Sequence, residues 1–326
     1  MPIKSPWLTQ ESTFDHTMQT SVAPFWQQRE EGWIKSFDKK TKLYWCRLTH
    51  ESHQKAIVMV NGRLESAWKY QELFYELFQQ GYDIYAFDHR GQGQSDRLLA
   101  DKQKGYVEDF EDYLRDMDRL LAHFDLARYE RRFLLAHSMG GAIATRYLQT
   151  RPQHPFDAMA ACAPMFGINI PWYCAPFAVP MSILLTTLYP QPHYAPGYQD
   201  YQPIPFEENR LTHSQIRYRW FRALYQQQPQ LQLGGPTTRW VWQSLLASKQ
   251  CIQLTRQVKI PFLLLQAGKD AVVSNAAQQR FIRKLRRTNP HCELQVIDGA
   301  HHELLFESDP FRDQTLAHLC RFLAQQ

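Results

Sequence analysis

Phe133-Leu134-Leu135-Ala136-His137-Ser138-Met139-Gly140-Gly141 reads as a short buried strand, a serine, and the opening of a helix that continues to Thr150, ahead of Pro152. A serine at such a junction is the setting of a nucleophile elbow, a strained turn that lifts the hydroxyl above the end of a strand. Small residues must flank it because strand and helix meet closely there. Gly140 and Ala136 fill those positions, Ala136 where glycine is usual. The competing reading, a serine that only caps a helix, does not account for the apolar strand immediately before it.

The same rhythm extends in both directions. Ala56–Val60, Ala158–Met165 and Pro261–Leu265 are apolar runs, Tyr82–Phe87 and Leu294–Ile297 read as further strands, and helical stripes lie over 67–80, 106–124, 275–287 and from about Pro310. Repeated strand and helix units with solidly apolar strands predict a mostly parallel, doubly wound α/β sheet covered on both faces. Trp33–Phe37 and Leu43–Leu48 alternate instead, as antiparallel edge strands do. Asp88-His89-Arg90-Gly91-Gln92-Gly93-Gln94-Ser95-Asp96 follows the Tyr82–Phe87 strand, but Asp96 occupies the third-glycine position of a dinucleotide loop, which argues against that use.

A serine hydroxyl needs a histidine to take its proton and a carboxylate to orient that histidine, in the chain order Ser, acid, His. Asp270 lies just past the strand that ends at Leu265, where catalytic groups of open sheets gather, with Asp298 as the alternative acid. His301 and His302 follow the Asp298-Gly299 turn, and position alone does not separate them; His291 and His318 are worse placed. His302-Glu303-Leu304-Leu305-Phe306 fails the H-E-x-x-H zinc pattern at its last position, and no cofactor or metal is expected. The oxyanion of an acyl intermediate needs backbone N–H donors, expected from Met139, next after the serine, and from Arg63 in the Asn61-Gly62-Arg63 turn.

Residues 164–242 interrupt this pattern, holding 11 of the 19 prolines, 15 of the 44 aromatic residues and only eight charged ones, five of them arginine. The expected organisation is a core over 1–166 and 251–326 with a cap inserted over 167–250. Aromatic and apolar walls suit a long acyl chain, although much of that surface must serve to pack the cap on the core. The five arginines suit phosphate, although solvated surface charge is their commoner fate.

These residues resemble the serine α/β-hydrolases of the monoacylglycerol lipase and lysophospholipase group. Phe87–Ser95 is similar to that group's DxRGxGxS turn, and Ala136–Gly141 to its elbow. Within the group, Asn61–Ser66, Ala163–Ile168, Leu211–Ser214, Gly234–Thr237 and Gly299–Glu303 resemble the bacterial lysophospholipases of the L-two type, so that the likeness covers nearly the whole chain. The family pattern places the catalytic histidine directly before a glutamate, which selects His302 and leaves His301 an aromatic position. It also implies Asp270 as the acid and Arg63 and Met139 as oxyanion donors. Asn61 stands where many monoacylglycerol lipases carry histidine. The activity implied is hydrolysis of the acyl ester of lysophospholipids, with some acyl transfer. A monoacylglycerol lipase or general carboxylesterase is the alternative, and a catalytically silent lipid carrier the alternative of another class.

Composition narrows the setting. With 44% hydrophobic and 21% charged residues, the 326-residue chain is neither disordered nor fibrous. A net charge of +5, from 37 basic and 32 acidic side chains, is too mild to call for nucleic acid yet compatible with an anionic membrane surface. Cys46, Cys162, Cys174, Cys251, Cys292 and Cys320 show no C-x-x-C spacing and read as reduced thiols of a cytoplasmic protein. Met1–Glu11 lacks the apolar run of a signal peptide. Phe177–Tyr189, the longest apolar stretch, contains Pro180 and falls short of the ~20 residues that span a bilayer, so membrane contact is expected to be peripheral, on the inner face.

Overall fold

A computed structural model describes residues 7–170, 173, 175–189 and 191–326. Pro2 and Pro6 of the leading segment and Cys174 lie outside these residues. Two helical turns, α1 (Phe14–Thr17) and α2 (Ala23–Trp26), precede strands β1 (Glu30–Lys35), β2 (Lys42–Leu48) and β3 (Lys55–Val60). Then follow α3 (Gln71–Gln79), β4 (Tyr82–Phe87), α4 (Glu111–His123), β5 (Arg131–His137), α5 (Met139–Thr150) and β6 (Ala158–Cys162). Helices α6 (Ala175–Leu188), α7 (Gln215–Gln227) and α8 (Thr238–Gln253) come next. The chain closes with β7 (Phe262–Ala267), α9 (Asn275–Leu285), β8 (Cys292–Ile297) and α10 (Asp309–Ala324).

The eight strands form one sheet in the order β1-β2-β4-β3-β5-β6-β7-β8. β1 and β2 pair antiparallel, as does β2 with β4, and all remaining pairs are parallel. Every residue of β4, β6 and β7 is buried, which is why those strands are apolar except at Asp83 and Gln266. The edge strand β1 ends at Lys35, two residues before the alternation does, because Ser36 N–H turns to the Thr41 carbonyl and Lys39 takes a positive φ of 60°. The helix expected over 106–124 begins only at Glu111. Ahead of it Gly105 bridges Pro236 in parallel, and its N–H donates to the Gly235 carbonyl, so this stretch serves as a strap to the 167–250 segment instead of a helical turn.

That segment is fastened by buried charge as well. Arg217 of α7 is wholly buried, donating to Glu72 of α3 at 3.0 Å and to Asp309 of α10 at 2.9 Å. Arg312 lies beside it on Glu76. One of the five arginines of residues 164–242 is thus neither solvated nor free for a ligand. Removing it takes the ion-pair partner from Asp309 and leaves Glu72 only Arg312, 3.6 Å away, and breaking a buried pair from one side costs about 3–5 kcal/mol. Arg217→Leu should lower the free energy of urea unfolding by that amount at pH 7, and a loss below ~1 kcal/mol would contradict this account of how α7 is held.

Candidate active site

The turn after β5 carries the geometry expected of an elbow. Ser138 has φ 51° and ψ −117°, a region that L residues avoid. The helix that follows fits only because Gly140 and Gly141 lack side chains: a Cβ on Gly140 would lie 2.0 Å from the Val60 carbonyl oxygen, and one on Gly141 2.6 Å from Pro164 Cβ. Ser138 N–H donates to the Cys162 carbonyl, fixing the turn to the end of β6.

Ser138 Oγ lies 2.9 Å from His302 Nε2, and His302 Nδ1 lies 2.8 Å from Asp270 Oδ2. A carboxylate only accepts, so Nδ1 carries the proton and Nε2 is left to accept the serine hydroxyl. Burial pushes the Asp270 carboxyl up, but the His302 hydrogen bond and charge and the N–H groups of Val272 and Val273 outweigh it and hold the group below its ordinary range. The carboxylate at hydrogen-bond distance from His302 is therefore that of Asp270 and not of Asp298. His301 turns away, stacking on His213 with ring centroids 3.8 Å apart.

Arg63 and Met139 line the same cavity as Ser138 and His302. Met139 opens α5, so its N–H has no i−4 partner within the helix and faces outward from the helix start. The Arg63 turn is held from beneath by Asp88. That carboxylate accepts from Asn61 Nδ2 at 3.3 Å, Ser66 Oγ at 2.7 Å and the N–H groups of Ala67 and Gln94 at 2.7 Å each. A Cβ on Gly93, at φ 57°, would fall 2.1 Å from Asp88 Oδ2, which explains the glycine there. The glycine-rich turn after β4 therefore braces the neighbouring loop through Asp88.

A second cluster, which sequence reasoning missed, links all these parts. Glu65 accepts from Gly62 N–H, from Tyr70 Oη at 2.6 Å, from Lys69 Nζ at 2.8 Å and from His137 Nδ1 at 3.1 Å. Lys69 also donates to Glu303 at 2.7 Å, and His137 Nε2 donates to the His302 carbonyl at 3.2 Å. Both ring nitrogens of His137 face acceptors, so the ring is an imidazolium. Burial alone would lower its pKa, but the charges of Glu65 and Glu303 raise it to about 9. Two cations and two carboxylates so tie the Arg63 turn, the elbow and the His302 loop into one neutral block. No spacing announces it, since Glu65 and His137 are 72 positions apart and Lys69 and Glu303 are 234 apart.

Above the serine opens a cavity of about 760 Å³, walled by side chains of α6, α7 and α8 such as Met181, Leu185, Phe221 and Val241. It is a partly enclosed, largely apolar space beside a hydroxyl–imidazole–carboxylate relay, an arrangement that defines a serine hydrolase of apolar acyl compounds.

The comparisons agree with this class. The Hydrolase_4 family model, described as serine aminopeptidase, S33, matches residues 51–309, and the chain belongs to that family of α/β-hydrolases. It is 38% identical to lysophospholipase L2 of Escherichia coli K12 over 97% of this chain and 94% of that protein. It is 26% identical to human monoglyceride lipase over 77% of this chain and 76% of that one. Among solved structures, a monoacylglycerol lipase of Paleococcus ferrophilus superposes with a TM-score of 0.69 at 20% identity, covering 87% of this chain and 99% of that one.

Proposed function

We propose that this enzyme hydrolyses the acyl ester of lysophospholipids through an acyl-enzyme on Ser138. Kinship with lysophospholipase L2 over almost the full length of both chains carries the choice of substrate class. The relay geometry supports the mechanism. His302 takes the Ser138 proton as Oγ attacks the ester carbonyl, Asp270 steadies the imidazolium, and the N–H groups of Met139 and Arg63 receive the oxyanion. His302 then protonates the departing glycerophospho alcohol, and water attacks the acyl-enzyme by the same steps reversed, releasing the fatty acid. Some acyl transfer follows if a second lipid alcohol replaces that water. We assign residues 167–250 as the cap over a core formed by 1–166 and 251–326.

Fatty-acid release from lysophosphatidylcholine and from a monoacylglycerol of the same chain length, with Ser138→Ala as control, tests this. Release from the phospholipid should predominate. Release only from monoacylglycerol would favour the second reading, which the likeness to human monoglyceride lipase supports. Release from no ester would leave a lipid carrier.

The enzyme meets its substrate, in this reading, at a membrane surface and without spanning it; no helix of the described residues is long and apolar enough to cross. Phe177, Met181, Leu184 and Leu188 of α6 are 65%, 48%, 50% and 61% exposed at helical spacing, and Phe177 and Met181 also line the cavity. Such a stripe beside a lipid site fits peripheral contact. Replacing Leu184 and Leu188 together by aspartate removes about 1.5–3 kcal/mol of apolar burial per site. Cosedimentation with phosphatidylglycerol-containing vesicles should fall at least ~10-fold, and unchanged binding would exclude α6 as the contact.

A further inference from the structure

Arg63 and Arg222 stand in the wall of the catalytic cavity, and among the described residues neither meets a carboxylate. Lys69, the third cation of that wall, lies between Glu65 and Glu303 and is already neutralised. Of the buried arginines elsewhere, Arg90, Arg217 and Arg312 face acids, and Arg146, which lines no part of this cavity, donates to the Gln149 amide oxygen. Arg63 has instead the Gly234 carbonyl at 2.6 Å and the Trp240 ring at 5.1 Å. Arg222 has the hydroxyls of Tyr201 at 3.1 Å and Tyr218 at 2.9 Å, with the rings of Tyr218 and Phe221 both 4.9 Å from its Cζ. The Nε–H of each is buried and without an acceptor among the described residues. Burial lowers the Arg63 guanidinium to about 10, with only tyrosines opposing the shift.

The two belong to one wall. Tyr225, one turn beyond Arg222 on α7, donates its hydroxyl to the Leu64 carbonyl at 2.7 Å, next to Arg63. Tyr198, Tyr201 and Tyr225 give this side of the cavity hydroxyls, whereas the α6 side offers Phe177, Met181 and Leu185. Two cations in a mostly apolar, partly enclosed space without counter-charge are costly unless a ligand brings the anion. Their planes are held by aromatic rings, so little rotamer freedom is lost on binding.

We infer that Arg63 and Arg222 form an anion subsite that receives the phosphodiester of the lysophospholipid headgroup while the acyl chain lies toward α6. This rests on the proposed lysophospholipase reading and adds to it the residues that recognise the phosphate. It also separates these two arginines from Arg217, whose charge α3 and α10 already neutralise.

The test compares kcat/KM for lysophosphatidylcholine and for the matching monoacylglycerol in wild type, Arg63→Gln, Arg222→Gln and Arg222→Lys, all with wild-type melting temperature. A hydrogen bond to a charged group contributes about 1.5–3 kcal/mol, equivalent to ~10–100-fold. Each glutamine variant should lower the phospholipid-to-monoacylglycerol ratio at least ~10-fold, and Arg222→Lys should restore part of it. sn-Glycerol 3-phosphate should inhibit monoacylglycerol hydrolysis by the wild type and do so at least ~10-fold less in Arg222→Gln. Equal losses on both substrates would overturn the subsite in favour of a structural role. Equal inhibition by inorganic phosphate would overturn the headgroup assignment in favour of a free-phosphate site. A wild type that cleaves only monoacylglycerol would sink the lysophospholipase reading instead, a result separable from an unchanged ratio in an enzyme active on both.

Discussion

Ser138→Ala should abolish fatty-acid release, lowering kcat by roughly 10⁴–10⁶-fold while the protein elutes and melts as the wild type does. The size follows from what the hydroxyl does: in the proposed mechanism it forms the bond that breaks the ester, so no neighbouring group replaces it. What remains would be stabilisation by backbone donors and binding alone. Residual activity above ~1% would mean that Ser138 is not the nucleophile. A second substitution at the same position separates chemistry from folding. Ser138 holds φ 51°, where a Cβ is strained and glycine is at ease. Ser138→Gly should therefore be as inactive as the alanine variant yet more stable, by about 1 kcal/mol in urea unfolding. A glycine variant less stable than the alanine one would show that the turn is not strained.

That strain also explains why the elbow was legible in the sequence. Positive φ at residue 138, the contact of Gly140 with the Val60 carbonyl and the apolar strand behind them constrain residue types locally, within nine positions. The parallel strands were legible for a related reason: burial on both faces leaves β4, β6 and β7 no polar choice at almost any position. Asp270 and His302 stand just beyond strands in the expected chain order, yet spacing alone left His301 open. The stacking of His301 on His213 is a contact across 88 positions, with no local trace. Helix ends were less legible. The apolar stripe at 106–110 has helical spacing, but pairing of Gly105 with Pro236 holds the chain just ahead of it in extended form, and the helix starts only at Glu111. Buried charges were least legible, because Arg217, Lys69 and Glu65 look like surface residues until partners from distant segments are in place.

The neutral block around Glu65 predicts a dependence of stability on pH. His137 is buried, donates to Glu65 and to the carbonyl of His302, and has its pKa raised to about 9 from an ordinary value of 6.5. A group whose folded pKa lies above its unfolded one binds its proton more tightly when folded. Its contribution is complete below pH 6.5 and is lost as pH rises through about 9. At 1.36 kcal/mol per unit, the loss across this window is about 3 kcal/mol. Other groups titrate at alkaline pH, so the informative quantity is a difference. Urea unfolding of wild type and His137→Gln should show the wild type losing about 3 kcal/mol more between pH 6.5 and 9.5. Parallel curves would mean that His137 is neutral at pH 7 and that the cluster carries a net negative charge. Activity should report the same event. Deprotonation leaves Lys69 alone against Glu65 and Glu303 and removes one donor, from Nδ1 to Glu65 or from Nε2 to the His302 carbonyl, so that the block joining the Arg63 turn to the relay histidine loosens. An alkaline fall in kcat near pH 9 should therefore be present in the wild type and absent from His137→Gln, whose lower kcat should be flat through that range.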